Sequence, residues 1–408
     1  MLPHAGHKLQ NKSKFHTMSH KQSFILLAFL MAVVVSACRT DDEAHVPITH
    51  DRVDSTSTAT ADTLAGFFLL NEGNMGMNKC TLDYFDAATG EYHRNIFAEI
   101  NPGVVQELGD VGNDLQIYDG MLWAVVNCSH FVEVMSQQTA RHITQISVPN
   151  CRYITFKGNY AYVSSYAGPV QVDPNARLGY VAKIDVRTLL QTDTCNVGYQ
   201  PEEMAIVGNK LYVANSGGYR VPNYDRTVSV IDLNTFTVEK TIDVAINLHR
   251  VQADAYGQVW VSSRGDYYGD GSALYCINSQ NDAVTDALQL PTSGMALSGD
   301  SLFVYGTEWS YVTNQNTVSY AIVNIRTHQI VTRNFITDGT ETNIKIPYGL
   351  AINPATKDIY VTDAGNYVTP GYLYCFSQQG KQKWRVRTGD IPAHFAFSNK
   401  PMVWPENN

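Results

Sequence analysis

The sequence predicts an all-β protein, a seven-bladed β-propeller. Three observations support this prediction: strand-like units recur along the chain, no long amphipathic helical pattern separates them, and the first and last units are each incomplete. The recurring motif is an aromatic or apolar residue, Val and two or three small or polar residues, as in YVSS at Tyr162, YVAN at Tyr212 and WVSS at Trp260. The motif returns after roughly 40–50 residues, which is typical of propeller blades.

Each unit is interpreted as four short strands. A short apolar run, such as YITF at Tyr153, precedes the motif. A second run ending in a polar residue follows it, and a turn then leads to a last strand. We count seven units, although their uneven spacing also allows six or eight. The chain is 44% hydrophobic and contains 24 tyrosines, a composition that favours strands.

The two ends of the repeat region complete each other. The first unit begins at Phe67 with the second-strand motif and has no innermost strand before it. The last innermost-strand pattern, 394–398, has no unit after it. We therefore expect a propeller over residues 67–398 in which the C-terminal strand completes the N-terminal blade, which removes an open sheet edge. Residues 399–408 are left as a C-terminal tail.

The first 37 residues have the pattern of a lipoprotein signal peptide. Lys21 precedes the apolar run FILLAFLMAVVV, which is too short for a bilayer span and ends in VSAC at Cys38. This resembles a bacterial lipobox and predicts lipidation of Cys38, with residues 1–17 as an upstream extension before a start at Met18. The acidic stretch RTDDE resembles the surface-export signal of Bacteroidetes lipoproteins, so we expect an outer-membrane, outward-facing protein. A cleaved secretory protein or a periplasmic lipoprotein is the alternative.

Residues 38–66 contain the lipidated cysteine and a Ser-, Thr- and Asp-rich stretch without apolar periodicity, which predicts a flexible tether. The net charge of the chain is -9, which argues against nucleic acid as a partner. The six cysteines after Cys38 form neither a CxxC motif nor a zinc-ligand spacing. Cys128 and Cys151 fall at neighbouring strand ends of an exported protein, so they are the candidate disulfide.

The long loops all fall at one end of the predicted disc. Loops that join the second and third strands of a blade emerge on the same face as the links between blades, and both classes are long here. Tyr, Trp and Arg are concentrated in them, and these residue types dominate binding sites. The candidate ligand-binding residues are Asn74, Asp110, Tyr166, Tyr199, Tyr219, Arg220, Tyr224, Arg264, Tyr267, Tyr268, Trp309, Tyr348, Tyr367 and His394.

No catalytic motif accompanies this face. The chain lacks GxSxG, HExxH and a P-loop, so we expect a binding protein with no enzymatic activity, no cofactor and no metal. Four acidic residues near the predicted axis leave a channel cation open as an alternative, as in propeller lactonases. They are Asp110, Asp114, Glu202 and Glu203.

Several loop segments resemble a known family. These include NEGNMGMNKCTLDYFD, ELGDVGND, YVANSGGYRVPNYDRTVSVIDL, INLHR, VSSRGDYY, IPYG and TGDIPAHFAF. They are similar to the BtuG surface lipoproteins of gut Bacteroidetes, which are YncE-like seven-bladed propellers, and the resemblance covers residues 66–398. It implies tight binding of vitamin B12 (cobalamin) and related corrinoids as transported ligands. It also implies delivery to a TonB-dependent outer-membrane transporter of the BtuB type.

The residues alone leave other functions open. An aromatic face would also suit a glycan, another nutrient or a protein partner. A lactonase- or lyase-type propeller with a channel metal is the enzymatic alternative.

Overall fold

The computed structural model describes residues 51–53, 64–104, 107–310 and 315–405. The signal peptide, Cys38 and most of the proposed tether lie outside these residues. In the described part of the chain, twenty-nine strands form seven antiparallel sheets. One five-residue helix, α1 (Ile96–Ile100), and one 3-10 turn (Thr340–Asn343) are the helices of the described residues. No described helix has the length and apolar character needed to cross a bilayer. The predicted seven-bladed all-β propeller is confirmed.

The strands follow one another blade by blade along the chain. Blade 1 contains β1 (Asp51–Arg52), β2 (Gly66–Asn71), β3 (Thr81–Asp86), β4 (Glu91–His93) and the last strand, β29 (Pro392–Ser398). Blade 2 contains β5 (Gly112–Tyr118), β6 (Met121–Val126), β7 (Phe131–Ser136) and β8 (His142–Ser147). Blade 3 contains β9 (Cys151–Lys157), β10 (Tyr160–Ser165), β11 (Tyr180–Asp185) and β12 (Leu190–Asn196).

The remaining four blades have the same order. Blade 4 contains β13 (Pro201–Val207), β14 (Lys210–Asn215), β15 (Thr227–Asp232) and β16 (Thr237–Asp243). Blade 5 contains β17 (Leu248–Ala253), β18 (Gln258–Ser263), β19 (Ala273–Asn278) and β20 (Ala283–Leu288). Blade 6 contains β21 (Gly294–Ser298), β22 (Ser301–Ser310), β23 (Gln315–Asn324) and β24 (Gln329–Thr332). Blade 7 contains β25 (Pro347–Ile352), β26 (Ile359–Asp363), β27 (Pro370–Phe376) and β28 (Gln382–Asp390).

The ring closes as the sequence predicts. Strand β29 pairs antiparallel with β2, with Phe67 opposite Phe397 and Leu69 opposite Phe395. The C-terminal strand is therefore the innermost strand of blade 1. In each of the other blades the four strands are consecutive in the chain. Blade 1 instead joins strands from both ends of the chain, through the hydrogen bonds between β2 and β29.

The repeated motif forms the second strand of each blade and fills the space between blades. Trp123, Trp260 and Tyr212 have no exposed surface. Both faces of these strands pack against neighbouring sheets, so consecutive residues are buried. The outer strands are exposed at most positions, as in β12. The polar residue that ends each third strand has a local role, because Asp86 and Asp185 accept hydrogen bonds from the backbone of the next turn.

Two segments at the chain ends differ from the sequence interpretation. Asp51–Arg52, within the predicted tether, pairs with β4 as a fifth strand of blade 1, and Val53 is buried. In the predicted tail, Met402 is buried and the Trp404 ring lies 4.4 Å from His93. In both segments the packed residues are isolated apolar residues within polar stretches. The absence of a periodic apolar pattern is the reason that these contacts were not predicted.

The closure makes a test of stability possible. Leu69→Ala removes a fully buried side chain from β2, and we expect the free energy of unfolding to fall by about 2–5 kcal/mol. Leu190→Ala makes the same change at a residue that is 64% exposed on β12, and should cost less than about 1 kcal/mol. Denaturant unfolding measures both values. Equal losses would contradict this description of the ring.

Candidate functional site: a cleft on the loop face

One face of the propeller carries almost all the long loops. The loops between second and third strands span residues 72–80, 166–179, 216–226, 264–272 and 364–369, and blade 6 extends its two strands as a hairpin instead. Blade 2 is the exception, because residues 127–130 form only a short turn. Blade 2 therefore contributes the shortest second-to-third loop to this face.

A cavity of about 710 Å³ lies between these loops. Its volume is in the range of small-molecule sites. Residues from the loops form its walls: Asn74, Met75, Tyr219, Tyr267, Tyr268, Glu308, Trp309 and Tyr367. Residues from the innermost strands and the adjoining links form its floor: Arg152, Tyr153, His249, Arg250, Tyr348 and Pro347.

A shared backbone irregularity positions the floor residues. In blades 3, 4, 5 and 7 two residues of the innermost strand lie opposite one residue of the second strand, which is a β-bulge. The bulged pairs are Arg152–Tyr153, Glu202–Glu203, His249–Arg250 and Tyr348–Gly349. A bulge redirects side chains, so consecutive polar residues can be presented near the axis.

Hydroxyl groups of the recurring motif hold three of these bulges. Ser164 accepts a hydrogen bond from the Tyr153 backbone N–H at 3.1 Å, and Ser262 accepts one from the Arg250 backbone N–H at 3.0 Å. Thr362 accepts the corresponding hydrogen bond from Gly349 at 2.7 Å. The small polar residues after Val in YVSS, WVSS and YVTD therefore satisfy donors that the bulge removes from the ladder.

Glu202 is the central buried anion of the floor. Its carboxylate accepts hydrogen bonds from Arg152 at 3.0 and 3.1 Å, from Arg264 at 3.1 Å and from the Tyr166 hydroxyl at 2.6 Å. Burial would raise the pKa of Glu202, but the two arginines and the hydroxyl outweigh burial and lower the pKa to about 2. The carboxylate is therefore ionised at neutral pH and orients both guanidinium groups.

A second group joins blades 3 and 5. The Tyr153 hydroxyl accepts a hydrogen bond from Arg250 at 3.2 Å and lies 3.0 Å from Nε2 of His249. Burial, with Arg264, Arg250 and Arg152 nearby, lowers the pKa of His249 well below its usual value. His249 is therefore neutral, and its Nε2 can accept a hydrogen bond from the Tyr153 hydroxyl.

Glu72 anchors the opposite side of the floor. It accepts a hydrogen bond from the Tyr348 hydroxyl at 2.7 Å, and its other oxygen lies 3.1 Å from Nε2 of His394. The Tyr305 hydroxyl donates to the Tyr348 carbonyl. These contacts connect blades 1, 6 and 7, so polar contacts hold the floor on several sides.

The four carboxylates considered for a channel cation are held by protein donors. Asp110 accepts hydrogen bonds from the Gly76 backbone, Asp114 from Ile154 and Leu115, and Glu203 from Val251. Glu202 binds the two arginines described above. Among the described residues, no group of three or more His, Cys, Asp or Glu side chains is placed to hold a metal ion.

Eight of the predicted ligand-binding residues line the cavity. They are Asn74, Tyr219, Arg264, Tyr267, Tyr268, Trp309, Tyr348 and Tyr367. Tyr268 is 82% exposed and Trp309 is 48% exposed, so large apolar surface faces the opening. Exposed aromatic surface of this kind is typical of a binding site.

Six predicted residues do not line the cavity. Tyr166 and His394 are buried and bind Glu202 and Glu72, respectively. Asp110 holds the loop that carries Asn74. In blade 4 the Arg220 guanidinium stacks 3.6 Å from the Tyr199 ring centre, and Tyr224 also lies outside the lining. Tyr166 and His394 therefore support the floor, whereas Asp110 supports a loop of the wall.

The predicted disulfide is not formed in the structure, where both cysteines are free. The Cys151 sulfur is buried against the carbonyl oxygens of Val126 and Phe131. Cys128 lines the cavity, and its sulfur lies 3.4 Å from the Asn127 side chain. Neighbouring strand ends placed the two residues on the same side of the ring but did not determine where their side chains point.

The predicted set of ligand-binding residues omits four main floor residues: Arg152, Tyr153, His249 and Arg250. They belong to innermost-strand patterns, whereas the set was drawn mainly from loops. A usable pattern was present, because CRY and LHR both begin innermost strands and both precede a motif with Ser at the position opposite the bulge.

Removing the Glu202 charge should destabilise the fold. Glu202→Gln leaves Arg152 and Arg264 without their shared counter-charge, and we expect a loss of about 3–5 kcal/mol in denaturant unfolding. Tyr166→Phe removes one hydrogen bond to the same carboxylate and should cost about 1–2 kcal/mol. A Glu202→Gln protein as stable as Tyr166→Phe would contradict the central role of this carboxylate.

Glu203 gives the stability a pH dependence. Burial raises the pKa of Glu203 from its usual 4.5 to about 7, against the opposing effects of Arg250 and the Val251 N–H. The folded state therefore binds more protons than the unfolded state between these values, and the free energy of unfolding falls as pH rises through this window. The steepest contribution is about 1.4 kcal/mol per pH unit. Glu203→Gln should remove it, and an unchanged pH profile of unfolding would refute this assignment.

Comparisons with known proteins support the fold. Hydrazine synthase from Kuenenia stuttgartiensis is similar with a TM-score of 0.57 and 14% identity, covering 71% of this chain and 90% of that chain. A quinonprotein alcohol dehydrogenase-like protein from Bacteroides thetaiotaomicron is similar with a TM-score of 0.53 and 15% identity, covering 82% and 78%. At these identities the likeness concerns the fold alone.

A search of curated proteins gives no significant match. The family comparison matches residues 65–397, which span the propeller from β2 to the next-to-last residue of β29. The chain therefore belongs to the family described as Domain of unknown function (DUF5074).

Proposed function

We propose that this protein is a cell-surface lipoprotein that captures vitamin B12 and related corrinoids and delivers them to a TonB-dependent outer-membrane transporter. The cleft carries this proposal, because aromatic walls surround a polar floor. A corrinoid is a flat, amphipathic disc fringed with amides. Its apolar surface can pack on Trp309 and Tyr268, and its amides need the donors and acceptors that the floor offers.

Several of the segments that resemble BtuG proteins contribute residues to the cleft. NEGNMGMNK contributes Asn74, VSSRGDYY contributes Arg264 and Tyr268, and INLHR contributes Arg250. The resemblance thus concerns the cavity as well as the generic blade motif. The BtuB-type transporter and attachment through Cys38 are parts of the proposal that rest on this resemblance and on the N-terminal sequence.

The floor is suited to tight binding. Bulges within paired strands hold Tyr153 and Arg250, and Glu202 fixes Arg152 and Arg264. A preorganised site loses little conformational entropy when the ligand binds, so more of the contact free energy contributes to affinity.

Two other classes of function predict different experimental results. A glycan or another nutrient would also suit exposed aromatic rings. A lactonase- or lyase-type activity would need a reaction centre, and the carboxylates first considered for a channel metal are bound by protein donors. Turnover of lactone substrates with added divalent metal would favour the enzymatic alternative.

Calorimetry with cyanocobalamin and cobinamide tests the proposal directly. We expect binding heat with the purified full chain and a higher melting temperature for the complex, because a ligand that binds only the folded state stabilises it. The absence of both effects would exclude corrinoid binding.

A rim variant locates the bound ligand. Replacing Tyr268 and Trp309 together by Ala should weaken corrinoid binding at least about tenfold, because each ring supplies exposed contact area at the cavity, while the melting temperature stays nearly unchanged. Tyr256→Ala is the control, since this exposed tyrosine lies on the opposite face, in the turn between β17 and β18. Normal binding by the double variant would place the site elsewhere.

A further inference from the structure

The three arginines of the cavity floor do not have equal partners. Arg152 and Arg264 each form an ion pair with Glu202, at 3.0 and 3.1 Å. Arg250 lines the same cavity, but among the described residues it forms no ion pair within 4.0 Å. Its hydrogen bonds go to the Tyr153 hydroxyl at 3.2 Å and the Ser293 carbonyl at 3.5 Å.

Arg250 therefore retains donor capacity on the cavity side. A guanidinium has five N–H groups, and the described protein partners use two of them. The Tyr153 hydroxyl accepts one of these two, and it also lies 3.0 Å from Nε2 of His249. The remaining N–H groups of Arg250 are on a side chain that lines the cavity. The bulge in β17 fixes the position of this side chain.

The carboxylates of the floor are bound by groups other than Arg250. Glu202 is the shared counter-charge of Arg152 and Arg264. Glu203 and Asp114 lie close enough to Arg250 to interact with its charge, but their carboxylates accept backbone N–H groups instead. On the far side, Glu72 is bound by Tyr348 and lies 3.1 Å from His394. Arg250 is therefore the floor arginine without a direct carboxylate partner among the described residues.

We infer that Arg250 forms an oxyanion subsite for a phosphodiester group of the ligand. Guanidinium N–H groups bind phosphate oxygens in a fixed, bidentate geometry, and a partly buried site strengthens the interaction. This inference rests on the proposed function: within the corrinoid class, cobalamin carries one phosphodiester in its nucleotide tail, and cobinamide has none. The subsite would thus distinguish complete corrinoids from those that lack the tail.

Comparing the two ligands in Arg250 variants tests the subsite. Arg250→Met should weaken cyanocobalamin binding by about 10- to 100-fold, as expected for a lost charged hydrogen bond, and cobinamide binding by less than about threefold. Arg250→Lys keeps the charge without the planar donor pair, so its loss for cyanocobalamin should be intermediate. Competition calorimetry gives the affinities, and melting temperatures show that each variant folds.

Arg326→Met is the matched control. Arg326 pairs with Asp300 in the turns of the opposite face, so both ligands should bind this variant normally. Equal weakening of cyanocobalamin and cobinamide by Arg250→Met would overturn the phosphodiester subsite, as would unchanged binding of both. If Arg250→Met does not fold, the ratio of the two affinities in Arg250→Lys decides. Binding of neither ligand by the unsubstituted protein would instead refute the proposed function.

Discussion

The two-residue bulge at the loop-face end of the innermost strands is the constraint on which the site depends. In a regular strand consecutive side chains point to opposite faces, so two neighbouring polar residues could not both be presented near the axis. The bulge makes this possible for Arg152–Tyr153 and His249–Arg250. It also leaves backbone donors outside the ladder, and hydroxyls such as Ser164 and Ser262 bind them. The same four-residue motif therefore builds the blade and supports the floor.

Once these side chains meet at the axis, their charges must be compensated. Glu202 does this for two arginines from different blades, and its depressed pKa keeps it ionised. A buried ion pair adds little net stability compared with apolar packing, but its loss is costly because it leaves isolated charges. The floor is thus specified by ion pairs among blades 3, 4 and 5, and Arg250 is the floor arginine that Glu202 does not bind.

The sequence predicted the architecture well because its evidence is local. Recurring motifs define the blades, and incomplete end units define the closure between β2 and β29. Wall residues such as Tyr268 could be predicted for the same reason, because the distance between strand motifs in the sequence shows which loops are long. The floor could not be predicted in this way, because the Tyr153–His249 contact joins residues 96 positions apart that meet when blades 3 and 5 pack around the axis. Side-chain direction was also beyond the sequence, as Arg220 on Tyr199 and the inward Cys151 thiol illustrate.

The short turn at blade 2 has a kinetic consequence. Every other blade has a long loop or a hairpin at this position, whereas residues 127–130 form a four-residue turn. A ligand that approaches over blade 2 would have no long second-to-third loop of that blade to displace. Association would then need no preceding conformational step, and differences in affinity between ligands would reside mainly in their dissociation rates.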